Sequence, residues 1–153
     1  MTIFHSFNTS ASALTSQRVR MDVISSNMAN VDTTRGKMVD GEWQPYRRKT
    51  VTLQPQEGQF SSMLNNAMGK SIKGSAGYGV AVSSIKEDTE TPFKLVFDPT
   101  HPDSNAEGYV EMPNVDPLRE MIDLMSATRS YEANITVLNA NKSMLMKALE
   151  IGK

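Results

Sequence analysis

Cysteine is absent from the 153 residues of this chain. Its absence excludes disulfides, thiolate catalysis and cysteine-bound zinc. Histidine is scarce, with two residues, so a nucleophile–base–orienter arrangement has few candidate members. Charge of either sign is not in excess, because 16 basic and 17 acidic residues give a formal net charge of −1. Such a balance produces no overall field that favours nucleic acid or an anionic membrane, and we expect neither as a partner.

Long apolar runs are also missing, and none approaches the roughly 18–20 residues that a bilayer span requires. The N-terminus reads MTIFHSFNTSASALTSQRVR. It has no basic start, no continuous apolar stretch and no cleavage site of the secretory type. We therefore expect no membrane insertion and no cleaved signal peptide, so that any export would use another route.

Glycine and proline are absent from residues 1–35 and 118–151. All seven prolines and eight of the nine glycines lie within residues 36–117. Glycine and proline cost about 1 and 3 kcal/mol in helix interiors, so the ends can form long helices and the middle favours strands and turns. We predict an α+β fold in three segments: 1–36 and 114–153 as helical assembly core, and 37–113 as a β-rich middle domain.

The first segment repeats apolar residues at a spacing of seven. The repeating set is Phe7, Leu14, Met21 and Met28, and the adjoining offset contains Ile24 and Val31. This spacing predicts a helix with a coiled-coil stripe. The rest of the helix surface is mostly Ser, Thr, Asn and Gln, which are weak helix formers but small enough for close packing. We interpret this as a helix that is packed on several sides in an assembly.

The last segment opens with the helix-start signals Asn114, Asp116 and Pro117. Leu124, Tyr131, Leu138 and Leu145 then recur every seven residues, with Ile135 and Leu149 in the complementary offset. About 34 helical residues would extend roughly 50 Å. So small a chain can bury such a stripe only against the first helix. We predict an antiparallel-type coiled coil, with further surface left for a larger bundle.

The middle segment alternates short apolar runs with turn residues. The runs predict strands at 50–53, 79–85, 93–97 and 109–111. A turn cluster covers 98–105, and the Gly- and Ser-rich stretch 57–77 predicts a mobile loop.

Two clusters offer chemistry. His101 stands between Asp98 and Asp103, all three potential metal ligands, and is the sole basis for a metal-dependent hydrolase. Interleaved prolines favour a rigid, Asx-stabilised turn instead.

Arg47, Arg48 and Lys49 stand beside aromatic residues, and we interpret them as a solvated strand edge. An anionic cell-wall polymer or an acidic neighbouring subunit is the partner that would suit these three. We predict no catalytic, cofactor or metal site.

Two motifs lie at the helix ends: SSNMANVDTTR at 25–35 and RSYEAN at 129–134. Together they resemble the signatures of the flagellar basal-body rod and hook family. The proximal rod type is indicated by PYRRK at 45–49, VFDPTHPD at 96–103, GYV at 108–110 and PNV at 113–115. In many rod and hook relatives an aromatic residue follows the glycine after the first signature. Here Lys37 follows Gly36, which fits the proximal type.

The resemblance implies a non-enzymatic subunit of the proximal rod, without cofactors, that transmits motor torque in the periplasmic and cell-wall zone. It implies export in an unfolded state by the flagellar type III apparatus. The helices would line the inner tube and the middle domain would face outward. Implied partners are like subunits, other proximal rod proteins, the export-side base-connecting protein and the distal rod protein, with a contact to the cell wall. The alternative is a cytoplasmic coiled-coil adaptor with a small β insert.

We assign the assembly interface to the two stripes and to asparagines of the signatures. The assigned residues are Phe7, Leu14, Met21, Ile24, Asn27, Met28, Asn30, Val31, Leu124, Tyr131, Asn134, Ile135, Leu138, Leu145 and Leu149.

Overall fold

The computed structural model describes residues 3–56, 67–68 and 79–151. Two long helices flank a series of short strands, which confirms the predicted α+β architecture. The elements in chain order are α1 (Ile3–Ala29), β1 (Lys37–Val39), β2 (Glu42–Gln44), β3 (Lys49–Pro55), β4 (Val80–Glu87), β5 (Lys94–Phe97), β6 (Tyr109–Met112) and α2 (Pro117–Ile151). The predicted loop at 57–77 lies outside the described residues except for 67–68.

The described strands pair as three two-stranded sheets, β1–β2, β3–β4 and β5–β6. The four predicted strands correspond to β3, β4, β5 and β6. The β1–β2 hairpin was not predicted. It turns at Asp40 and Gly41, whose φ angles of 53° and 90° match a type I′ turn. Asp-Gly between short apolar runs is a strong hairpin signal, so the sequence did contain this information.

Capping fixes the start of α2 as predicted. Pro117 occupies the first helical position, and the Asp116 carboxylate accepts a hydrogen bond from the Leu118 amide at 3.1 Å. At the end of α1 the Asn30 amide still bonds to the carbonyl of Ser26, at 3.2 Å. The chain then enters turns that lead into β1.

The chain forms two compact units, and each contains parts of both helices and of the middle segment. Unit 1 comprises Met1–Val19, Thr52–Ser84 and Ala127–Lys153, and unit 2 comprises Arg20–Val51 and Ile85–Ser126. In unit 2 the buried apolar side chains include Ile24, Val110 and Val115, beside the fully enclosed polar Asn27 and Glu120. The core of unit 2 is therefore small, and polar contacts contribute much of its internal packing. Neither described helix has the length and apolar composition of a membrane span.

Candidate functional site: a buried polar joint

Asn27 fixes the end of α1 to the start of β3. Its side-chain Nδ2 donates to the Lys49 carbonyl at 2.9 Å, and its Oδ1 accepts from the Lys49 amide at 2.9 Å. The same Oδ1 also accepts from the Tyr46 hydroxyl at 3.0 Å. Asn27 is 1% exposed. Its amide thus supplies both bonds that a neighbouring strand would give to Lys49.

Glu120, from the first turn of α2, is 0% exposed and meets the same cluster. Its Oε1 accepts from Arg48 Nε at 2.6 Å, and its Oε2 accepts from Asn27 Nδ2 at 3.1 Å. Asp123 extends the charge pairing, with Arg48 at 3.5 Å and Arg20 at 3.3 Å. A buried carboxylate is tolerated only when it is paired and hydrogen-bonded, and Glu120 meets both conditions.

Asn114 completes the cluster from the segment before α2. Its Oδ1 accepts from the Arg48 amide at 2.8 Å, and its Nδ2 donates to the carbonyls of Asp88 and Thr91, each at 3.1 Å. We call Asn27, Tyr46, Arg48, Asn114 and Glu120 the polar joint. It connects both helices to β3 and to the turn after β4, and all of it lies within unit 2.

The remainder of the first signature shapes the turn after α1. The Thr33 hydroxyl donates to Asn30 Oδ1 at 3.2 Å. The Asp103 carboxylate accepts from the Thr34 hydroxyl at 2.7 Å and from Arg35 Nε at 2.8 Å. The hydrogen bond from Arg35, assisted by that from Thr34, holds the pKa of Asp103 below its usual value. These contacts tie the turn that follows α1 to the loop before β6.

Residues 98–103 form the predicted Asx-stabilised turn. Asp98 Oδ1 accepts from the amide and the hydroxyl of Thr100, at 3.0 and 2.7 Å, which lowers the pKa of Asp98. His101 Nδ1 accepts from the Asp103 amide at 3.1 Å. In the part of the chain that the structure describes, no group of three or more His, Asp or Glu side chains is placed to hold a metal ion. His101 and Asp103 are instead engaged in shaping the turn.

The expectation of a solvated strand edge at 47–49 is wrong for Arg48, whose side chain is 15% exposed and paired with Glu120. Its neighbours contact aromatic rings. The Arg47 guanidinium lies 4.4 Å from the centroid of the Phe93 ring, and Lys49 Nζ lies 5.5 Å from that of Tyr46. Arg48 directly precedes β3, and its guanidinium turns towards Glu120, whereas that of Arg47 lies against Phe93.

In unit 1, small polar residues of α1 hold the start of β4. The Val80 amide donates to Ser12 Oγ at 3.1 Å, and Ser16 Oγ donates to the Val80 carbonyl at 3.2 Å. Gly79 permits this approach, because a Cβ there would lie 2.2 Å from Ser12 Oγ. The Ser-rich surface of α1 therefore binds a strand backbone of the same chain, a role that the sequence analysis missed.

The residues assigned to the assembly interface have three kinds of surroundings. Ile24 and Asn27 are buried. Ile135 and Leu149 are exposed, Leu149 at 75%. The others are half-buried: Phe7, Leu14, Met21, Met28, Asn30, Val31, Leu124, Tyr131, Asn134, Leu138 and Leu145.

Sequence reasoning did not find the joint residues Arg48, Asn114 and Glu120 as a group. One signal was available for Glu120. It shares a helical face with Leu124 and Ala127, at spacings of four and seven. An acidic residue on an apolar stripe predicts a buried cation as its partner. Which cation supplies the charge depends on tertiary structure.

Comparison with known proteins gives matches at both ends and over the full length. The family model described as "Flagella basal body rod protein" matches residues 7–36, and that described as "Flagellar basal body rod FlgEFG protein C-terminal" matches residues 106–151. Asn27 lies within the first match, and Asn114 and Glu120 lie within the second.

Three relatives are each called flagellar basal-body rod protein FlgC. That of Bacillus subtilis (strain 168) is 68% identical over the whole of both chains. That of Borreliella burgdorferi is 44% identical over 99% of this chain and 98% of its own, and that of Salmonella typhimurium is 42% identical over the whole of both. These identities decide between the rod subunit and the cytoplasmic adaptor. The chain belongs to the family of flagellar basal-body rod proteins FlgC, a family of structural subunits and not of enzymes.

Proposed function

We propose that this chain polymerises through its two terminal helices in the proximal part of the flagellar rod and there transmits motor torque. The observation that carries the proposal is an apolar surface on α2 that the chain itself leaves uncovered. Leu118 is 72% exposed, Ile122 63% and Met125 50%, with Met121 beside them at 47%. Their spacing is that of a helix face that docks on a partner.

The exposed apolar side chains continue at the far end of α2, where Met144, Leu149 and Ile151 are each more than 60% exposed. A folded monomer rarely exposes so much apolar surface to water, and a surface of this kind marks a site where a partner binds. We infer that the exposed side of α2 around Ile122 packs on neighbouring subunits.

Pairing of α1 with α2 as an antiparallel coiled coil is supported in each unit separately. In unit 1, Asn141 Nδ2 donates to Ser6 Oγ at 2.9 Å, so a late residue of α2 meets an early residue of α1. In unit 2, Asn27 near the end of α1 meets Glu120 at the start of α2. We propose the two ends, 1–36 and 114–153, as the assembly core and 37–113 as the outward β-rich domain.

Torque transmission requires that the helices and the β-rich domain turn together. The polar joint supplies that coupling in our proposal. Its members donate or accept in several directions at once, so a shear between α1, α2 and β3 would break several buried hydrogen bonds together. Asn27 and Asn30 contribute to assembly in this account through the shape that they give the chain.

The family membership supports the remaining expectations. We propose like subunits, the other proximal rod proteins, the export-side base-connecting protein and the distal rod protein as neighbours, in the periplasmic and cell-wall zone. Export by the flagellar type III apparatus in an unfolded state is part of the same proposal. Few of the described side chains are both apolar and buried, so we expect the folded free chain to gain further order on reaching the growing rod.

The test is to place a charge on the exposed face of α2. Ile122→Asp should leave the free chain folded, because Ile122 is already mostly exposed, but it should prevent rod completion and motility. Thr89→Asp adds the same charge in the exposed loop after β4 and should be nearly silent. Motility and the composition of purified basal bodies are measured for both. Normal swimming with the Ile122→Asp chain present in rods would refute assembly through this face.

A further inference from the structure

A cleft of about 420 Å³ opens in unit 2 between β2 and β6. Trp43 and Glu42 line it from β2, and Tyr109 and Glu111 line it from β6, with buried Pro45 also lining it. Trp43 is 53% exposed and Tyr109 is 41% exposed. Two aromatic residues therefore line the cleft, and each leaves much of its surface uncovered.

The charges of this cleft are not balanced within the described part of the chain. Glu42 and Glu111 have no ion-pair partner among those residues. The Asp103 carboxylate, which also borders the cleft, is engaged by Arg35 and Thr34. The cleft thus combines two uncompensated carboxylates with two aromatic rings.

We propose that this cleft binds an arginine side chain of a neighbouring rod subunit. A guanidinium can stack on an aromatic ring and at the same time donate hydrogen bonds to carboxylates. Arg47 adopts such a stacking contact with Phe93 within this chain, at 4.4 Å. An anionic wall polymer would be repelled by Glu42 and Glu111, so charge complementarity favours a cationic protein group. The proposal rests on the proposed function, which supplies the neighbouring subunit.

Trp43 is the only tryptophan of the chain, so intrinsic fluorescence reports directly on this cleft. The probe is N-acetyl-arginine amide, titrated into the full chain at constant ionic strength. N-acetyl-citrulline amide, which has the same shape without the charge, is the matched ligand control. We expect a saturable change with the arginine probe and a much weaker one with citrulline. Equal responses would overturn the proposal, and so would saturation by tetra-N-acetyl-chitotetraose with no response to arginine.

Two isosteric variants test the carboxylates. Glu42→Gln and Glu111→Gln should each weaken binding of the arginine probe about three- to tenfold, because each removes an ion pair beside a ring. Glu90→Gln removes an exposed carboxylate that does not line the cleft and should leave the affinity unchanged. An unchanged affinity in the double variant Glu42→Gln/Glu111→Gln would contradict the proposal.

An experiment in cells distinguishes the proposed arginine site from the proposed assembly through α2. We expect the double variant Glu42→Lys/Glu111→Lys to be folded and made at a normal level but to enter purified basal bodies at a reduced level. If it enters rods normally while Ile122→Asp is excluded, the arginine site is wrong and assembly through α2 stands. If Ile122→Asp enters rods normally, the proposed function fails regardless of the result with the cleft.

Discussion

The side-chain amide of Asn27 bonds to both backbone polar groups of Lys49, each at 2.9 Å. An asparagine on a helix thereby takes the position that a strand would occupy. Glu120, which accepts from the same amide, adds the second helix to this contact. The signature asparagine of α1 is thus part of a three-way connection between α1, α2 and β3.

Replacing Asn27 by aspartate should weaken this connection strongly. The carboxylate would face the Lys49 carbonyl and the Glu120 carboxylate without a proton to donate to either. We expect a loss of about 2–4 kcal/mol in the free energy of unfolding, measured in urea. Asn8→Asp, at an exposed position of α1, is the matched control and should change stability by less than about 0.5 kcal/mol. Equal losses in both variants would contradict this role for Asn27.

The Arg48–Glu120 pair should show strong coupling in a double-mutant cycle. Arg48→Met alone leaves a buried carboxylate with less compensation and should cost about 3–5 kcal/mol. Arg48→Met and Glu120→Gln together should cost much less than the sum of the single changes, with a coupling in the upper part of the usual range, about 2–3 kcal/mol. The exposed Lys147–Glu150 pair, 2.8 Å apart, is the control, and its coupling should stay below about 1 kcal/mol. Equal coupling in the two pairs would show that burial does not strengthen the joint.

Alanine variants at two glycines with positive φ distinguish the cost of backbone strain from the cost of a steric clash. At Gly41, φ is +90° and an added Cβ would meet nothing within 4 Å, so Gly41→Ala should cost about 1–2 kcal/mol from backbone strain. At Gly79, φ is +115° and the Cβ would also collide with Ser12 Oγ. Gly79→Ala should therefore cost clearly more than Gly41→Ala in urea unfolding. Similar losses would mean that Ser12 and β4 are not in close contact.

Stability should fall in acid because three carboxyl groups have lowered pKa values. A hydrogen bond from Thr91 lowers the pKa of Asp88, and one from Thr100 lowers the pKa of Asp98. The pKa of Asp103 is lowered by its hydrogen bond from Arg35. Such a group stabilises the fold at pH values above its unfolded pKa of about 4, and the contribution is lost as pH falls through the lower, folded pKa.

We expect the urea midpoint to be flat from about pH 7 to 5 and to drop below about pH 4. Asp103→Asn should reduce the size of this drop, because it removes one of the three titrating groups. A drop of unchanged size in that variant would exclude Asp103 as a contributor.

The sequence predicted the elements better than the contacts between them. The absence of glycine and proline indicated where α1 and α2 run, and Asp116 with Pro117 indicated where α2 begins. Both signals are local, so they can be recognised in the sequence. Arg48 was misassigned because a local sequence pattern cannot show which of three consecutive basic residues meets a buried acid. Ser12 and Ser16 were interpreted as packing residues because their partner, the backbone of Val80, leaves no mark on side-chain patterns.

The most direct test of assembly through the helices is photo-cross-linking in cells, which needs only one reactive group. The photoreactive residue p-benzoyl-phenylalanine is placed singly at position 118 or 122 on the exposed face of α2, or at position 89 in the loop after β4. We predict photo-cross-links from the two helix positions to adjacent rod subunits in purified basal bodies, and none or few from position 89. Basal bodies that contain the helix variants but show no cross-links from them, while the variant at position 89 does cross-link, would contradict assembly through the terminal helices.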